Sequence, residues 1–246
     1  MVRIEGRNPV IEALKGKRKI NKLLIQHGIT GDRVDLILKQ AGRQGIAVER
    51  VPRQILEKMA SSHAHQGVIA LTSPLPTVAP LDMVKLAADK GEQPLLLILD
   101  QIQDPHNIGS MIRTAYAAGL HGVIYQQKRA AGITPIVAKT SAGAIEHIML
   151  AEVKNINTTI IELKEAGLWI AGADLGGEGL IYQADLTGPL AIVIGNEGVG
   201  LRRLVKENCD FLVKIPMIGE LGSLNASVAA AIIIYEAVRQ RGLNMA

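Results

Sequence analysis

Aromatic residues and cysteine are scarce in this 246-residue chain, which has one Trp, one Phe, four Tyr and a single cysteine, Cys209. One cysteine excludes a disulfide framework and a zinc cluster built on several thiolates, and it fits a reducing compartment. With so few aromatics, the core must consist of Ile, Leu, Val and Ala. The composition, 48% hydrophobic and 20% charged, is that of a folded globular protein with one large or two modest domains.

Long hydrophobic runs are also missing. The longest uninterrupted apolar stretch, residues 228–235, is far shorter than the ~20 residues that a membrane-spanning helix needs. The amino-terminal segment does not place a charged region before an apolar one, as a secretory signal does. The six histidines follow no metal-ligand spacing, so we predict no metal site. These absences favour a soluble cytoplasmic protein.

Positive charge is concentrated at the front of the chain. Residues 1–73 carry 13 Lys and Arg against 6 Asp and Glu, a net charge of +7. Residues 74–246 carry 14 against 17, a net charge of −3. A basic front part joined to a mildly acidic remainder indicates a polyanion-binding module, with chance variation in surface charge as the alternative.

Hydrophobic periodicity predicts an α/β protein in two parts. Helices are expected where apolar residues recur with helical spacing, at 8–15, 32–42 and 52–60, with Asn8 as the cap of the first. Strands are expected at 20–26, 46–51 and 67–72. Proline-rich sequence then marks a boundary, and the continuous apolar strand at 95–99 is typical of a parallel sheet. We therefore predict a front domain (1–73), a linker (74–93) and a second domain (94–246).

Three polar segments in the second part each follow an apolar strand. They span residues 99–115, residues 194–201, and residues 215–227. Because the ends of parallel strands meet at one edge of an α/β sheet, we expect these segments to form one pocket.

Each segment, considered alone, also has a purely structural explanation. The glycines at 195–200 suit either a nucleotide-binding loop or a common turn, and they match neither the phosphate-binding loop nor the dinucleotide fingerprint. Asn107 is predicted to cap a helix, so that Arg113 either joins it in an anion site or is a surface residue. Ser223 suits an N-cap, whereas Asn225 has no evident capping role. Neither a nucleophile elbow nor a suitably spaced histidine indicates a hydrolase.

Together the three segments resemble the signature motifs of the SpoU/TrmH-type RNA ribose 2′-O-methyltransferases, in the SPOUT class. The resemblance spans about residues 94–246. Residues 6–14 and 65–68 are similar to the family's small RNA-binding domain, which has an L30e-like fold. The subgroup that methylates a guanosine of large-subunit ribosomal RNA is the most similar.

The resemblance implies an α/β fold: a small L30e-like α/β sandwich, then a mostly parallel-sheet α/β domain with a C-terminal deep trefoil knot. It implies S-adenosylmethionine as the cofactor and a homodimer in which Asn107 and Arg113 lie beside the partner's pocket. The cofactor-binding residues that it implies are Leu175, Gly195, Gly198, Ile215, Met217 and Leu224.

The resemblance also implies the catalytic residues Arg113, Asn107, Glu197, Ser223 and Asn225. A free guanidinium is a poor base, so we favour Arg113 as a clamp that stabilises the forming oxyanion. Asn107 would orient Arg113 and the ribose, while the other three would fix the substrate and the loops. The candidate RNA-binding residues in the front domain are Arg7, Asn8, Lys17, Arg18, His65 and Gln66. Residues 1–73 contain no Phe, Trp or Tyr, so stacking of bases on these aromatic rings is excluded there.

The sequence leaves two alternative functions open and disfavours a third. A tRNA ribose methyltransferase would carry similar motifs, and a separate front domain favours ribosomal RNA over it. A non-catalytic RNA-binding or assembly factor on the same fold is the alternative from another class. A Rossmann oxidoreductase is disfavoured because its fingerprint is missing.

Overall fold

The structure, a computed structural model, describes residues 2–60, 65–127, 130–177, 179–219 and 222–242. The chain divides into two compact units, one of residues 1–76 and 133–147 and the other of residues 77–132 and 148–246. Residues 133–147, placed in the second domain from sequence, therefore belong to the first unit. Most of the expected linker, from residue 77 onward, belongs to the second unit.

The helices and strands alternate along the chain. The strands are β1 (Val2–Glu5), β2 (Ile20–Gln26), β3 (Ala47–Val51), β4 (Val68–Thr72), β5 (Leu95–Asp100), β6 (Gly122–Gln126), β7 (Met149–Val153), β8 (Trp169–Ala173), β9 (Gly179–Leu180), β10 (Leu190–Gly195) and β11 (Phe211–Lys214). The helices are α1 (Arg7–Lys15), α2 (Asp32–Arg43), α3 (Arg53–Met59), α4 (Pro80–Asp89), α5 (Pro105–Ala117), α6 (Pro135–Thr140), α7 (Ile156–Glu165), α8 (Arg203–Asn208) and α9 (Ala226–Gln240).

The first unit is a four-stranded sheet with helices on both faces. The strand order is β1-β4-β2-β3, antiparallel except between β2 and β3. Alternation along β2 sends Leu23 and Ile25 into the core formed with α1 and α2, while Leu24 packs against Leu56 of α3. This is the α/β sandwich expected from the sequence. Asn8 is not the cap of α1, because the helix already begins at Arg7 after Gly6.

A buried ion pair within the first unit joins α1's end to residues 133–147. Arg18 Nη2 lies 3.1 Å from Glu146 Oε1, and the two side chains are 2% and 3% exposed. Arg18 also donates to Thr72 Oγ1 at 3.4 Å. Burial lowers the pKa of Arg18 and raises the pKa of Glu146, while the attraction between them opposes both shifts. RNA phosphate cannot reach this guanidinium, so the assignment of Arg18 to RNA binding is wrong.

Removing one partner of this pair is expected to destabilise the first unit strongly. Arg18→Ala leaves the Glu146 carboxylate buried without a counter-charge, which should lower the free energy of unfolding by about 3–5 kcal/mol. Lys15→Ala is the control, because Lys15 pairs with Glu12 at the surface, where ion pairs contribute about 0–1 kcal/mol. Urea denaturation of both variants checks this, and equal losses of stability would contradict a structural role for Arg18.

The second unit contains a seven-stranded sheet in the order β7-β6-β5-β10-β8-β11-β9. All of its strand pairs are parallel, as predicted for the apolar strand at β5. Every residue of β5 and β10 is buried, since helices cover both faces of a parallel sheet. The α/β class and the mostly parallel sheet are therefore confirmed, while the knot remains a prediction.

The order of the strands determines where a ligand can bind. From β5 the chain continues outward to β6 and β7, and it then returns to the other side of β5 to form β8 and β10. The connections that leave β5 and β10 consequently diverge, which opens a crevice at the carboxyl ends of these strands. All three polar segments follow strands that end at this edge.

The end of α9 is tied to the opposite edge of the sheet. Arg241 donates to the carbonyl oxygens of Gln93 at 3.0 Å, Pro94 at 3.2 Å and Leu186 at 3.1 Å, and it also contacts Gly188 O. These carbonyls precede β5 and β10, so one guanidinium holds the last turn of α9 against the segments that lead into both strands. Within the described part of the chain, no helix combines the length and the apolar character needed to cross a membrane.

Candidate active site

A cavity of about 530 Å³ lies at the carboxyl ends of β8, β10 and β11, beside the start of α9. All six residues that the resemblance assigns to the cofactor line it, together with two of the catalytic candidates. These eight residues are Leu175, Gly195, Glu197, Gly198, Ile215, Met217, Ser223 and Leu224. Two of the three polar segments thus line a single pocket, whereas the expectation was that all three would.

The loop after β10 folds back on itself in a way that only glycine permits. A Cβ atom on Gly195 would lie 2.3 Å from the carbonyl carbon of Gly200. Asn196 closes the turn, because its Oδ1 accepts a hydrogen bond from the Gly198 amide at 2.9 Å. The Asn196 carbonyl accepts another from the Gly200 amide at 2.8 Å. This compact loop presents backbone atoms to the cavity.

The first polar segment reaches the other two through Asn107. Its amide nitrogen Nδ2 donates to Glu197 Oε1, and its Oδ1 accepts from Asn225 Nδ2 at 3.0 Å. One side chain from each segment therefore takes part in a single hydrogen-bonded chain. Asn107 is not the cap of α5 as predicted, because Asp104 fills that role by accepting from the His106 amide at 2.9 Å.

Asn225 combines two tasks, and the expectation that it has no capping role is wrong. Its Oδ1 accepts from the backbone amides of Ser227 at 2.9 Å and Val228 at 3.4 Å, which makes it the N-cap of α9. Since Oδ1 is engaged, Nδ2 faces Asn107, and Asn107 must in turn direct its own NH₂ group toward the Glu197 carboxylate. The start of α9 therefore fixes the orientation of the Asn225 and Asn107 side chains toward Glu197. Ser223 lies just before this cap and is exposed.

Charged side chains line one wall of the pocket. Lys206 Nζ lies 2.6 Å from Asp174 Oδ2, and both residues line the cavity. Asp174 also accepts from the Gly176 amide at 3.0 Å through its other oxygen. The sequence analysis does not single out this pair. Asp174 could have been found, because it directly follows β8 and ligands of parallel sheets bind at the carboxyl ends of the strands.

Arg113 lies apart from the other catalytic candidates. It is exposed on α5 and is not among the described residues that line the cavity. The helical repeat explains this, because a residue six positions after Asn107 points about 120° away from it around the helix axis. The described lining of this chain's cavity therefore forms without Arg113.

The candidate RNA-binding residues of the first unit fall into two groups. Asn8, Lys17 and Gln66 are exposed. Arg7 is half-buried and donates from Nε to the Gln66 carbonyl at 3.2 Å, so the two segments that carry the resemblance lie side by side. His65 is buried, and its Nδ1 accepts from the Gly67 amide at 3.0 Å. That hydrogen bond shapes the turn, and burial leaves little of the His65 side chain accessible to RNA.

A larger cavity, about 800 Å³, borders the opposite ends of some of the same strands. Trp169, Leu190 and Phe211, each the first residue of its strand, line it. Ligands of parallel α/β sheets bind at the carboxyl ends of the strands, where the polar segments of this chain also gather. The smaller cavity is therefore the candidate active site.

A mostly parallel sheet with a glycine-built pocket at its carboxyl edge defines an α/β enzyme that binds a nucleotide-like cofactor. The chain belongs to the SpoU rRNA methylase family, whose model matches residues 94–235. A second model, for the substrate-binding domain of RNA 2′-O ribose methyltransferases, matches residues 3–78. The resemblance seen in the sequence is confirmed.

Relatives match the chain over nearly its full length. YacO of Bacillus subtilis, named as a TrmH-family tRNA/rRNA methyltransferase, is 46% identical over 96% of this chain and 94% of its own. The SpoU methyltransferase AviRb of Streptomyces viridochromogenes, solved with S-adenosylmethionine, gives a TM-score of 0.82 at 28% identity, covering 98% and 90% of the two chains. The rRNA methyltransferase of Sinorhizobium meliloti, also solved with this cofactor, gives 0.81 at 25% identity, covering 97% and 87%.

The protein is therefore an S-adenosylmethionine-dependent RNA methyltransferase of the SPOUT fold. The pocket fits that cofactor on three counts. Its volume suits a nucleoside joined to an amino acid, and its glycine loop offers backbone hydrogen bonds to an adenine. The carboxylate of Glu197 suits the positive charge of a sulfonium, whereas that of Asp174 is already paired with Lys206.

Proposed function

We propose that the protein methylates the ribose 2′-hydroxyl of a guanosine in the ribosomal RNA of the large subunit. The observation that carries this proposal is the hydrogen-bonded row of three side chains, Glu197, Asn107 and Asn225, at the edge of the cofactor pocket. The match of residues 3–78 to a 2′-O ribose substrate-binding domain supports ribose as the acceptor. The rRNA methyltransferase of S. meliloti supports ribosomal RNA.

The transfer requires positioning and charge stabilisation. S-adenosylmethionine supplies an electrophilic methyl group when bound. The residues that line the pocket would hold this cofactor, and Glu197 and Asn107 would hold the ribose 2′-hydroxyl facing its methyl group. The hydroxyl proton leaves to water or to an RNA phosphate oxygen. Holding the hydroxyl in line with the breaking bond supplies much of the acceleration.

We assign the protein's part in this step to the side chains already described. Arg113 of the neighbouring subunit stabilises the charge that forms on the 2′-oxygen, because its guanidinium stays protonated and donates to oxyanions. Asn107 and Glu197 orient the acceptor ribose, and Asn225 holds Asn107. Ser223 hydrogen-bonds the substrate at the mouth of the pocket.

The proposal includes a homodimer. Tyr116 on α5 and Val228 and Tyr235 on α9 are exposed, although α5 and α9 pack against each other. Apolar side chains exposed together on two adjacent helices suit a subunit contact. A dimer through these helices brings α5, and with it Arg113, toward the partner's pocket. Such a protein would act in the cytoplasm, where ribosomal RNA is made and modified in bacteria.

The experiment that tests this function uses labelled S-adenosylmethionine and RNA from cells that lack the gene. Incubation with purified protein, followed by digestion to nucleosides, should yield labelled 2′-O-methylguanosine from large-subunit ribosomal RNA. Label confined to tRNA would replace the proposal with its main alternative. That alternative has support from the TrmH/SpoU tRNA modifying enzyme of A. aeolicus, which matches 61% of this chain with a TM-score of 0.56. RNA binding without any transfer would indicate a non-catalytic factor.

Charge on the first unit should contribute to RNA affinity in a salt-dependent way. Lys17 and Lys19 are exposed in the turn that follows α1. The variant Lys17→Ala/Lys19→Ala should weaken RNA binding and reduce the slope of log affinity against log salt by about 1 to 2. Lys85→Ala removes a lysine that pairs with Asp89 on the second unit and serves as the control. An unchanged slope in the double variant would reject this part of the RNA interface.

A further inference from the structure

A carboxylate buried beneath the glycine loop has no role in the mechanism described so far. Asp100, the last residue of β5, is completely buried, and it pairs in register with Gly195 at the end of β10. An ionised side chain in this position needs a counter-charge and hydrogen bonds, because burial of an unpaired charge is very unfavourable.

Arg202 provides both from the far end of the loop. Its Nε donates to Asp100 Oδ1 at 2.8 Å, and its backbone amide donates to Asp100 Oδ2 at 3.3 Å. Its Nη2 reaches Gln126 Oε1 at 3.4 Å. Arg202 thus joins the carboxyl ends of β5 and β6 to the chain that follows β10.

The near end of the loop is fastened to the same place. Asn196 Nδ2 donates to the carbonyl of Gln101, the residue after Asp100, at 3.2 Å. Residues 197–201 therefore span two anchors that both lie on the first polar segment. Glu197 lies between these anchors, where its carboxylate meets Asn107.

We propose that Arg202, through Asp100, is a positioning residue that holds the loop so that Glu197 stays bonded to Asn107. It touches neither cofactor nor RNA in this role. The inference rests on the proposed function of Glu197 and Asn107, and it adds a residue whose effect on turnover passes through them. Full positioning requires arginine, because one guanidinium bonds both Asp100 and Gln126, whereas the ammonium of lysine can replace only the pairing with Asp100.

The chain offers a closely matched control. Arg203 is the next residue, and its side chain is 84% exposed and lies 3.6 Å from Glu207 on the same helix. Arg203→Ala removes an identical side chain one position away from the anchor. It should leave turnover and loop protection at wild-type values.

The test measures methyl transfer and amide exchange in the same set of variants. Arg202→Ala should lower kcat about 20-fold, with Arg202→Lys recovering part of the loss. In an Asn107→Ala background, where the Glu197 bond is already lost and kcat remains measurable, Arg202→Ala should lower kcat further by only about threefold or less, because its effect acts through that bond. Additive losses, or a kcat equal to that of Arg203→Ala, would overturn the proposal.

Amide exchange separates this inference from the proposed function. The Gly198 and Gly200 amides are bonded inside the loop and should lose protection in Arg202→Ala, but not in Arg203→Ala. If Arg202→Ala loses amide protection but the wild type methylates no RNA, the role of Arg202 in holding the loop is supported and the proposed function is refuted. Unchanged protection in Arg202→Ala would refute the anchor, whatever the wild-type activity is.

Discussion

Replacement of Arg113 by lysine should reduce methyl transfer by about 1000-fold while S-adenosylmethionine binds as tightly as before. The exposed position of Arg113 on α5, away from the cavity of its own chain, explains the intact cofactor binding. Lysine preserves the charge but loses the planar fork that can bond two oxygens at once. Single-turnover methylation assays and calorimetric titration of the cofactor measure the two effects separately. Wild-type turnover would refute the catalytic assignment.

The same residue allows a direct test of action between subunits. Arg113→Ala and Glu197→Gln are each expected to be inactive as homodimers. When the two are unfolded together and reassembled, half of the dimers should be mixed, and each mixed dimer should have one intact site. Recovered activity should then be about a quarter of wild type. No recovery, despite mixed dimers confirmed by mass spectrometry, would contradict a site shared between subunits.

The second large effect is expected at Asn107, where the three polar segments meet. Asn107→Ala removes both hydrogen bonds and leaves Glu197 and the Asn225 amide group without their partner. We expect kcat to fall by about 100-fold and the free energy of unfolding by about 1–3 kcal/mol. Turnover kinetics and urea denaturation measure these two losses.

Asn157→Ala is the matched control for that variant. Asn157 Oδ1 accepts from Asn208 Nδ2 at 3.1 Å, a bond between two amide side chains much like the one between Asn107 and Asn225. The control should lose a comparable bond but retain turnover. If Asn107→Ala lowers stability without a larger fall in kcat than Asn157→Ala, then Asn107 is structural and the proposed ribose-orienting role is wrong.

Local patterns predicted much of the architecture. The predicted strands at 20–26 and 95–99 match β2 and β5 closely, because both are short segments rich in aliphatic residues that lie between turn residues. Among the described strands of the first unit, β1 has no counterpart in the prediction. β1 has only four residues and pairs at the edge of its sheet, so its pattern is too brief to distinguish from a loop.

Errors in capping have a shared cause. The sequence suggests Asn107 as the cap of α5, although Asp104 stands directly before Pro105 and proline favours the first helical position. It suggests Ser223 as the cap of α9, although Asn225 lies two residues closer to the helix. In both cases two capping residues lay within three positions, and only the hydrogen bonds decide between them.

Contacts between distant residues could not be predicted from a single sequence. Arg18 lies among exposed lysines and was therefore assigned to RNA, but its partner Glu146 comes 128 residues later in the chain. The bond between Asp100 and Arg202 likewise spans 102 residues. The pocket was predictable because strand ends in a parallel sheet converge, whereas these pairs depend on packing that has no local signature.

The central claim is that the loops after β8, β10 and β11, with the start of α9, form one pocket for S-adenosylmethionine. Calorimetric titration of the cofactor into the wild type and into Ala229→Phe tests it most directly, because Ala229 lines the cavity and the larger side chain would fill it. Ala88→Phe, at an exposed helical position, is the control. We predict saturable binding of one cofactor per chain by the wild type and the control, and none by Ala229→Phe. Equal binding by all three, with the fold of each confirmed by circular dichroism, would contradict the account.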